Sequence, residues 1–485
     1  MILVFAVGAV VVLGLWLVAV LDWRRMVYGL LLFVPFTGIP ILLSDHNALA
    51  LVLKDVLFVV PLYVSLFVLH AREVKSAHVP GVIGLALAAL TVLVLLQTLN
   101  PSVSVLFAAV IGVKVWILYL PLVFVMATMI RRREDHIKLL RLMTVLALIP
   151  AAVGMLQWFC SASFGYRTTM QWFYGAAARA ATQNFGEFDY GGKFYRIPST
   201  FSFLTQYYGF LLAMTAVTYI ARRVDPSRKW RRIASVAFYT VVVASFLAGS
   251  RQAFLFTPML VVALYLLDGR LRGVAAALFV VPVLVYGALD LGGVDPLEVL
   301  GVTSRLTGTY GEEFILKSPL TALEDVPFGM GTGADTGAAR YAFPNQYLPV
   351  FNLPLNNESY YTKSIVELGF PGLIAVVAIF GTLLASGLKA LRQLKLPELK
   401  TAAAAYTAFI AVMAVQSVKG WSMDIDPINI YFWVFAGILC KLPQLEAGRA
   451  PRPQTATAPL SRVAFRPRLA SRSALVRRPL SGRPQ

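Results

Sequence analysis

Apolar runs occupy most of this chain, and they constrain its fold more than any other feature. Runs of about 17 to 25 residues with few charges are long enough to cross a bilayer as helices. Hydrophobic residues make up 58% of the 485 and charged residues only 14%, which is more apolar than a soluble core requires. The sequence therefore predicts an all-α polytopic membrane protein with about 12 to 13 transmembrane helices. The predicted spans lie near 2–21, 26–43, 48–70, 80–98, 106–130, 138–160, 197–221, 233–249, 253–267, 274–290, 364–387, 401–418 and 428–441.

Lysine and arginine collect in every second loop between these spans. Positive residues concentrate in cytoplasmic loops, so the pattern predicts an N-terminus outside the membrane and a C-terminus inside the cell. Residues 1–21 carry neither a charged leader nor an Ala-x-Ala site, which favours a first span over a cleaved signal peptide. The basic residues of the predicted cytoplasmic loops are Arg24, Arg25, Arg72, Lys75, Arg131, Arg132, Arg133, the stretch from Arg222 to Arg232, Arg270, Arg272, Lys389, Arg392, Lys395 and Lys400.

The net charge of +19 comes from 43 Lys and Arg against 24 Asp and Glu. In a soluble chain this excess would suggest nucleic acid, but here the cytoplasmic loops and the C-terminal tail account for most of it, and no nucleic-acid partner is expected. Residues 1–441 form the predicted membrane domain. Residues 442–485 are rich in Arg and Pro and predict a disordered cytoplasmic tail, which either contacts anionic lipid or a partner or is a solvated tail that reinforces topology.

Two long loops are predicted on the extracytoplasmic face, at 161–196 and 291–363. The first is rich in Tyr, Phe, Trp and Gly, a composition that suits either a glycan-binding groove or an aromatic belt at the membrane interface. The second has about seventy residues, and loops of that length are usually functional. Two cysteines, Cys160 and Cys440, exclude a disulfide scaffold or a Cys-based metal site, and four scattered histidines leave little for a helical zinc motif. We therefore expect no metal or cofactor, and chemistry based on Arg, Lys, Glu, Asp and Tyr.

Positive residues on the extracytoplasmic side are the informative ones, because they contribute nothing to the predicted orientation. Arg251 follows Ser250 in a short break between two spans, where a guanidinium needs an anion; that anion is a phosphate or a structural acid such as Asp424 or Asp426. Arg196 stands at the start of another span and either binds substrate or extends to the interface. Arg305, Lys317 and Arg340 lie in the second long loop, where Arg305 and Arg340 also have the option of pairing with Glu312, Glu313, Glu324 or Asp325.

Three further charged residues lie within predicted spans. Lys54 is followed directly by Asp55, and Lys114 lies near the outer end of the fifth span. Ionisable residues inside a membrane are functional candidates by default, but adjacent opposite charges favour mutual pairing. We therefore expect these three residues to pair inside the bundle.

A polar stretch from Asn356 to Gly372 ends the second loop and opens the eleventh span. The Asn pair 356–357 can cap a helix that begins near Glu358. Glu358 and Tyr361 then share a face, so the Glu358 carboxylate either accepts a proton from a sugar hydroxyl or only favours the helix dipole. Glu367 is expected to be structural. The Gly369–Gly372 segment, Gly-Phe-Pro-Gly, predicts a bend or a close approach by another segment.

Taken together, these motifs resemble the O-antigen polymerase and O-antigen ligase superfamily, from about Val105 to Leu442. Glu358-Ser359, nine residues, Gly369, two residues and Gly372 reproduce the spacing of a ligase motif that begins with His. Ser250-Arg251 is similar to the family's Ser-Arg ahead of a span. Arg196-Ile197 with Thr200-Phe201 resembles its Arg-x-x-Gly-Thr-Phe, with Ser199 in place of Gly. Arg305 and the Pro327–Gly331 turn resemble the family's second arginine and its glycine turn.

The resemblance implies a glycosyltransferase on the outer face of a bacterial inner membrane, acting on glycans carried by undecaprenyl diphosphate. It implies that Arg251 and Arg305 hold the diphosphate, with Arg340 as the alternative to Arg305, and that Glu358 is the base for inverting transfer. Donor and acceptor glycan lipids, a chain-length regulator and a flippase are the implied partners. Further substrate contacts are expected from Arg196, Arg340, Ser250, Lys317 and Tyr361.

Glu358 in place of His favours polymerisation of repeat units over ligation of finished glycan. Ligation to a lipid or protein acceptor is the alternative within the same enzyme class. A lipid-linked glycan transporter or flippase is the alternative from another class; the lack of a convincing internal repeat and the long one-sided loops disfavour it.

Overall fold

The fold is described from a computed structural model that covers residues 13–44, 48–74, 79–103, 106–182, 195–291, 312–337 and 358–447. All regular elements in these ranges are helical, which confirms the predicted all-α class. The first half of the chain contains α1 (13–21), α2 (Trp23–Phe33), α3 (Gly38–Leu43), α4 (Ala48–Lys54), α5 (Val60–Tyr63), α6 (Ala71–Val74), α7 (Gly81–Gln97), α8 (Leu106–Ile117), α9 (Leu122–Met129), α10 (Arg133–Phe164), α11 (Tyr166–Tyr174) and α12 (Ala178–Ala181). The second half contains α13 (Leu204–Val224), α14 (Arg228–Leu247), α15 (Ala253–Leu267), α16 (Leu271–Leu291), α17 (Ser318–Asp325), α18 (Tyr360–Gln393), α19 (Pro397–Gln416) and α20 (Ile428–Ala447).

Seven helical segments among the described residues are long and apolar enough to cross a membrane. A helix of 20 residues is about 30 Å long, the thickness of a bilayer's hydrocarbon core. The chain is therefore a membrane-embedded helical protein. These segments are Val52–Leu69, Leu106–Met129, Arg133–Phe164, Arg228–Leu247, Tyr360–Gln393, Pro397–Lys419 and Ile428–Ala447. Shorter apolar helices include α7 and α15.

Helix α13 lies at the centre of the bundle. It packs against α10, α14 and α19, and nearly all of its side chains are buried. Gly154 of α10 gives Tyr207 of α13 room to approach, because a Cβ at 154 would collide with the phenol ring. The apolar surface that α13 buries is protein-facing rather than lipid-facing, so this helix sets the positions of its neighbours.

The basic loops gather at one end of the bundle. Glu73 Oε2 accepts hydrogen bonds from the guanidinium groups of Arg24, at 2.8 Å, and Arg131, at 2.7 Å. Arg141 binds Asp225 through two N–H groups, and Arg133 pairs with Glu398. Loops that the sequence assigns to one side of the membrane are thus joined by ion pairs.

Several helix bounds differ from the predicted spans for local reasons. The span predicted at 26–43 is interrupted after α2 by a 3-10 turn, Val34–Phe36, and Gly38 there lies against the backbone of Phe201. The last span is predicted to end at 441, but α20 continues to Ala447 because Leu442 and Leu445 extend its buried face. Predicted tail residues 442–447 are therefore helical.

Candidate functional site

Four segments meet at the end of the bundle opposite the basic loops. They precede α13 (195–203), separate α14 from α15 (248–252), precede α18 (358–359) and separate α19 from α20 (417–427). The amide N–H of Ile197 donates to the carbonyl of Ala248 at 3.2 Å, which joins the first two segments. Gln252 donates to the carbonyl of Lys419 at 3.3 Å, which joins the second to the fourth.

Arg196 and Arg251 form a pair of positive charges in this region. Arg196 is half-buried and Arg251 is exposed. Burial, and then the positive charge of Arg251, lower the pKa of the Arg196 guanidinium. The positive charge of Arg251 thus acts on Arg196, and an anion bound near both groups would relieve that repulsion. The adjoining Ser250 side chain is buried.

A glycine makes this pairing sterically possible. Gly249 adopts φ +73°, and a Cβ at this position would collide with the Tyr195 carbonyl and lie 3.2 Å from the Arg196 Cα. A side chain at 249 would therefore force apart the two segments that carry the arginines.

The segment that follows Arg196 is fixed by side-chain hydrogen bonds. Ser199 Oγ donates to the carbonyl of Pro150 at 2.6 Å, and Thr200 Oγ1 donates to the carbonyl of Pro35 at 2.6 Å. Ser199 has φ +54°, the left-handed region that glycine occupies more easily. It is the single non-glycine residue with positive φ among the residues described.

Glu358 lies just before α18 and not in its first turn. The helix begins at Tyr360, and Ser359 caps it by accepting from the Thr362 amide at 3.3 Å. The predicted Asn cap, 356–357, falls outside the described residues. The Glu358 side chain is 60% exposed and lies 3.5 Å from the ammonium group of Lys419. The carboxylate is therefore open to solvent or a substrate beside a positive charge.

Gln252 connects Arg251 with the surroundings of Glu358. Besides its bond to the Lys419 carbonyl, Gln252 accepts from the side-chain amide of Gln416 at 2.7 Å. Lys419 in turn contacts Glu358. The segments that carry Arg251 and Glu358, more than a hundred positions apart in sequence, are thus linked through Gln252 and Lys419.

The remaining predicted site residues are distributed differently. Tyr361 uses its hydroxyl to donate to the carbonyl of Ala414 at 2.8 Å, which indicates a packing role between α18 and α19. Lys317 is exposed at the end of a π-helical turn, Glu312–Lys317. Arg305 and Arg340 lie outside the described residues.

Part of the aromatic loop is helical. Phe164, the last residue of α10, and Trp172 of α11 lie on the surface, each about 60% exposed, with ring centroids 5.3 Å apart. Tyr166 and Tyr174 face inward: Tyr166 donates to the Arg196 carbonyl at 2.7 Å, and Tyr174 donates to the Ser199 carbonyl. The inward rings therefore support the Arg196 segment.

The glycine turn and the break in α18 fit against each other. Gly369 has φ +74° and ψ −171°, and it interrupts the helix. The amide N–H of Phe370 donates to the Pro327 carbonyl at 2.8 Å, and that of Met330 donates to the Val366 carbonyl at 2.7 Å. The predicted bend and the predicted close approach are both confirmed.

Glu367 holds the next residues of that turn. Its carboxylate accepts from the indole N–H of Trp116 at 2.6 Å, from the Asp335 amide at 2.9 Å and from the Thr336 hydroxyl at 2.8 Å. Glu367 is fully buried. These bonds confirm its expected structural role.

A buried ion-pair network lies beneath the site. Asp55 binds the ammonium groups of Lys54, at 3.4 Å, and Lys114, at 2.9 Å, and accepts from the Tyr119 hydroxyl at 2.6 Å. Lys54 also pairs with Asp426. Although burial opposes ionisation, Lys54 and Lys114 lower the pKa of Asp426. The predicted pairing of Lys54, Asp55 and Lys114 is confirmed.

Lys363 and Asp424 form a second buried pair; the sequence named Asp424 as an alternative partner of Arg251 and did not single out Lys363. Lys363 lies in the first turn of α18, fully buried, and its ammonium group is 4.6 Å from the centre of the Trp116 ring. Burial raises the pKa of Asp424 to about 6, against the opposing effect of Lys363. A lysine one turn inside an apolar helix is the signal that could have identified it.

These charges border a cavity of about 420 Å³. Residues that follow Arg196 (Ser202, Phe203 and Gln206) form one side, and residues that follow Lys419 (Trp421, Asp424 and Asp426) form another. Lys54 and Lys114, from helices of the bundle, also line the cavity. Its volume is in the range of small-molecule sites.

The fold and this site define a polytopic helical membrane protein with a charged cavity at one end. No group of three or more potential metal ligands occurs in the part of the chain that the structure describes. The chain matches no protein-family model and no curated protein sequence.

Proposed function

We propose that this protein is a glycan polymerase that joins oligosaccharide repeat units carried by undecaprenyl diphosphate on the outer face of a bacterial inner membrane. The observation that carries the proposal is that the segments of Arg196 and Arg251 touch at Gly249, and that Gln252 links the second segment to Lys419, which contacts the exposed Glu358 carboxylate. The repulsion between the two arginines favours binding of a polyanion, and guanidinium groups match phosphate oxygens through paired hydrogen bonds.

The chemical step follows from these groups. An acceptor sugar hydroxyl attacks the anomeric carbon of the donor, the bond from that carbon to the diphosphate oxygen breaks, and undecaprenyl diphosphate leaves with the bonding electrons. Glu358 takes the hydroxyl proton and releases it to water. The arginines stabilise the negative charge that develops on the diphosphate, so the step needs no metal.

The resemblance adds residues and topology to the proposal. Arg305, or Arg340 in its place, supplies the second contact to the diphosphate, and Ser250 and Lys317 supply further substrate contacts. The positive φ of Ser199 supports the resemblance, because the family has glycine at that position. We propose 12 to 13 spans, extracytoplasmic loops at 161–196 and 291–363, an external N-terminus and a cytoplasmic C-terminus.

Deletion and complementation test this function. A deletion strain complemented with Arg251→Ala or Glu358→Gln should make the membrane protein in normal amount but leave single repeat units on the carrier lipid. Lys389→Gln, at the opposite end of α18, is the matched charge-loss control and should restore polymer. Normal polymer length from both site variants would refute the assignment.

The products of the deletion strain separate polymerase from ligase. A glycan of one repeat that still reaches its final acceptor identifies a polymerase. Long polymer that stays on undecaprenyl diphosphate identifies a ligase instead.

A transporter of lipid-linked glycan is the second candidate, and the charged cavity is the observation that favours it. Ionisable residues within a membrane mark transport pathways as well as catalytic sites. Transport of intact lipid-linked repeats into vesicles by the purified protein, without change in glycan length, would favour this function.

A further inference from the structure

We propose that the 420 Å³ cavity binds an acidic sugar unit, a pyranose ring that carries a carboxylate. The inference rests on the proposed function and specifies its substrate class. The cavity lies between the segment of Arg196 and the segment that pairs with Glu358, so a glycan held at the proposed catalytic groups would extend into it.

The cavity has the walls that a sugar ring requires. Phe33, Phe203 and Trp421 contribute ring surfaces, against which the apolar face of a pyranose can stack. The lining surface is largely apolar, and polar side chains such as Ser202, Gln206 and Asn429 lie within it, where they can meet the hydroxyl groups of a sugar.

Hydrogen-bonding groups for the hydroxyls are held in place. The Gln206 side-chain oxygen accepts from the amide and the hydroxyl of Ser202, at 3.1 and 2.7 Å, which fixes the orientation of the side chain. Among the described residues, no hydrogen bond from the side-chain N–H groups of Gln206 to a protein acceptor is present, so these groups can donate to a ligand. Asp426, 20% exposed, offers carboxylate oxygen to a hydroxyl donor.

Lys114 is the residue that selects a negatively charged ligand. Among the four charged residues that line the cavity, Lys114 has the most exposed side chain, at 27%, against 20% for Asp426, 7% for Asp424 and 3% for Lys54. Its described ion-pair partner, Asp55, already binds Lys54 and Tyr119. An ammonium group has three donors, so Lys114 can bind a second carboxylate without leaving Asp55.

Binding of monosaccharide probes tests the inference. The full-length protein in lipid nanodiscs is titrated with glucuronate, glucose or inorganic pyrophosphate, and intrinsic tryptophan fluorescence reports occupancy beside Trp421. Glucuronate should bind about tenfold more tightly than glucose, because a charge-assisted hydrogen bond is stronger than a neutral one. Equal affinities, or no binding of either sugar, would overturn the proposal.

Variants assign the preference to one residue. Lys114→Gln should reduce the preference for glucuronate to about twofold or less, and Lys114→Arg should retain it. If Lys114→Gln does not fold, Gln206→Leu serves instead. It should weaken the binding of both sugars but keep the preference for glucuronate, because Lys114 is unchanged. Lys389→Gln should bind like the wild type. If pyrophosphate binds tightly and Lys114→Gln abolishes that binding, the cavity is a diphosphate-binding site and the sugar assignment is refuted.

The two proposals fail in different ways. If glucuronate does not bind but Arg251→Ala still blocks polymer formation, the cavity assignment is wrong and the polymerase stands. If glucuronate binds through Lys114 but Arg251→Ala makes normal polymer, the polymerase assignment is wrong and the acidic-sugar site stands.

Discussion

Lys363 and Asp424 form a buried ion pair that ties the first turn of α18 to the segment between α19 and α20. Trp116 and Tyr360 cover the ammonium group with their rings, at 4.6 and 5.9 Å. The same segment carries Lys419 and Asp426, which contact Glu358 and Lys54. One short connection thus links the exposed carboxylate to the buried charges.

Loss of one partner of this pair should be costly. Lys363→Met leaves the Asp424 carboxylate buried and unpaired, with an expected loss of about 3 to 5 kcal/mol. Thermal unfolding in detergent micelles measures it. Lys419→Met removes an ion pair with a mostly exposed carboxylate and should cost less than about 1 kcal/mol. Equal losses from the two variants would contradict the buried role of Lys363.

Asp424 should make stability depend on pH. Burial raises its folded-state pKa to about 6, above the value of about 3.9 in an unfolded chain, so the folded state binds its proton more tightly. Its contribution is fully present below pH 3.9 and is lost as pH rises through about 6. Unfolding midpoints of the wild type and Asp424→Asn, measured from pH 4 to 7, should show that this fall disappears in the variant.

Asp426 is the matched control for the pH experiment. Its folded-state pKa is lowered, so its contribution is present above pH 3.9 and is lost only as pH falls below that value. Asp426→Asn should therefore keep the wild-type slope between pH 4 and 6, although its overall stability falls. A slope that vanishes in Asp426→Asn and persists in Asp424→Asn would reverse the assignment.

Gly369 should not tolerate a side chain. Its φ of +74° disfavours an L-residue, and a Cβ would lie 2.6 Å from the Phe328 carbonyl carbon. Gly369→Ala should cost more than about 1 kcal/mol and expose the 327–337 segment to limited proteolysis. Gly381→Ala, in the same helix with open space around it, should be neutral or stabilise by up to about 1 kcal/mol.

Ser199 should accept glycine and reject valine. Ser199→Gly relieves about 1 kcal/mol of left-handed backbone strain. It also loses the hydrogen bond to the Pro150 carbonyl, which contributes a similar free energy, so the unfolding temperature should hardly change. Ser199→Val keeps the strain and loses the bond. If the two variants unfold at the same temperature, the backbone geometry at 199 is not what constrains this position.

The sequence by itself determined the helical, membrane-embedded character of the protein. Span length, apolar composition and the alternation of basic loops are local properties, and a bilayer accepts few backbone structures besides helices. Local pattern also predicted the break at Gly369 and the pairing of Lys54 with Asp55, because glycine geometry and adjacent charges act over a few residues.

Only the tertiary structure decided which distant groups meet. Lys363 with Asp424, Arg196 with Arg251, and the glycine turn with Gly369 join segments that are far apart in sequence, and helix packing around α13 sets those distances. The cavity follows from the same packing, because its lining comes from segments scattered between Phe33 and Asn429. A hydropathy pattern specifies that helices pack, but the shapes of their side chains specify which faces touch.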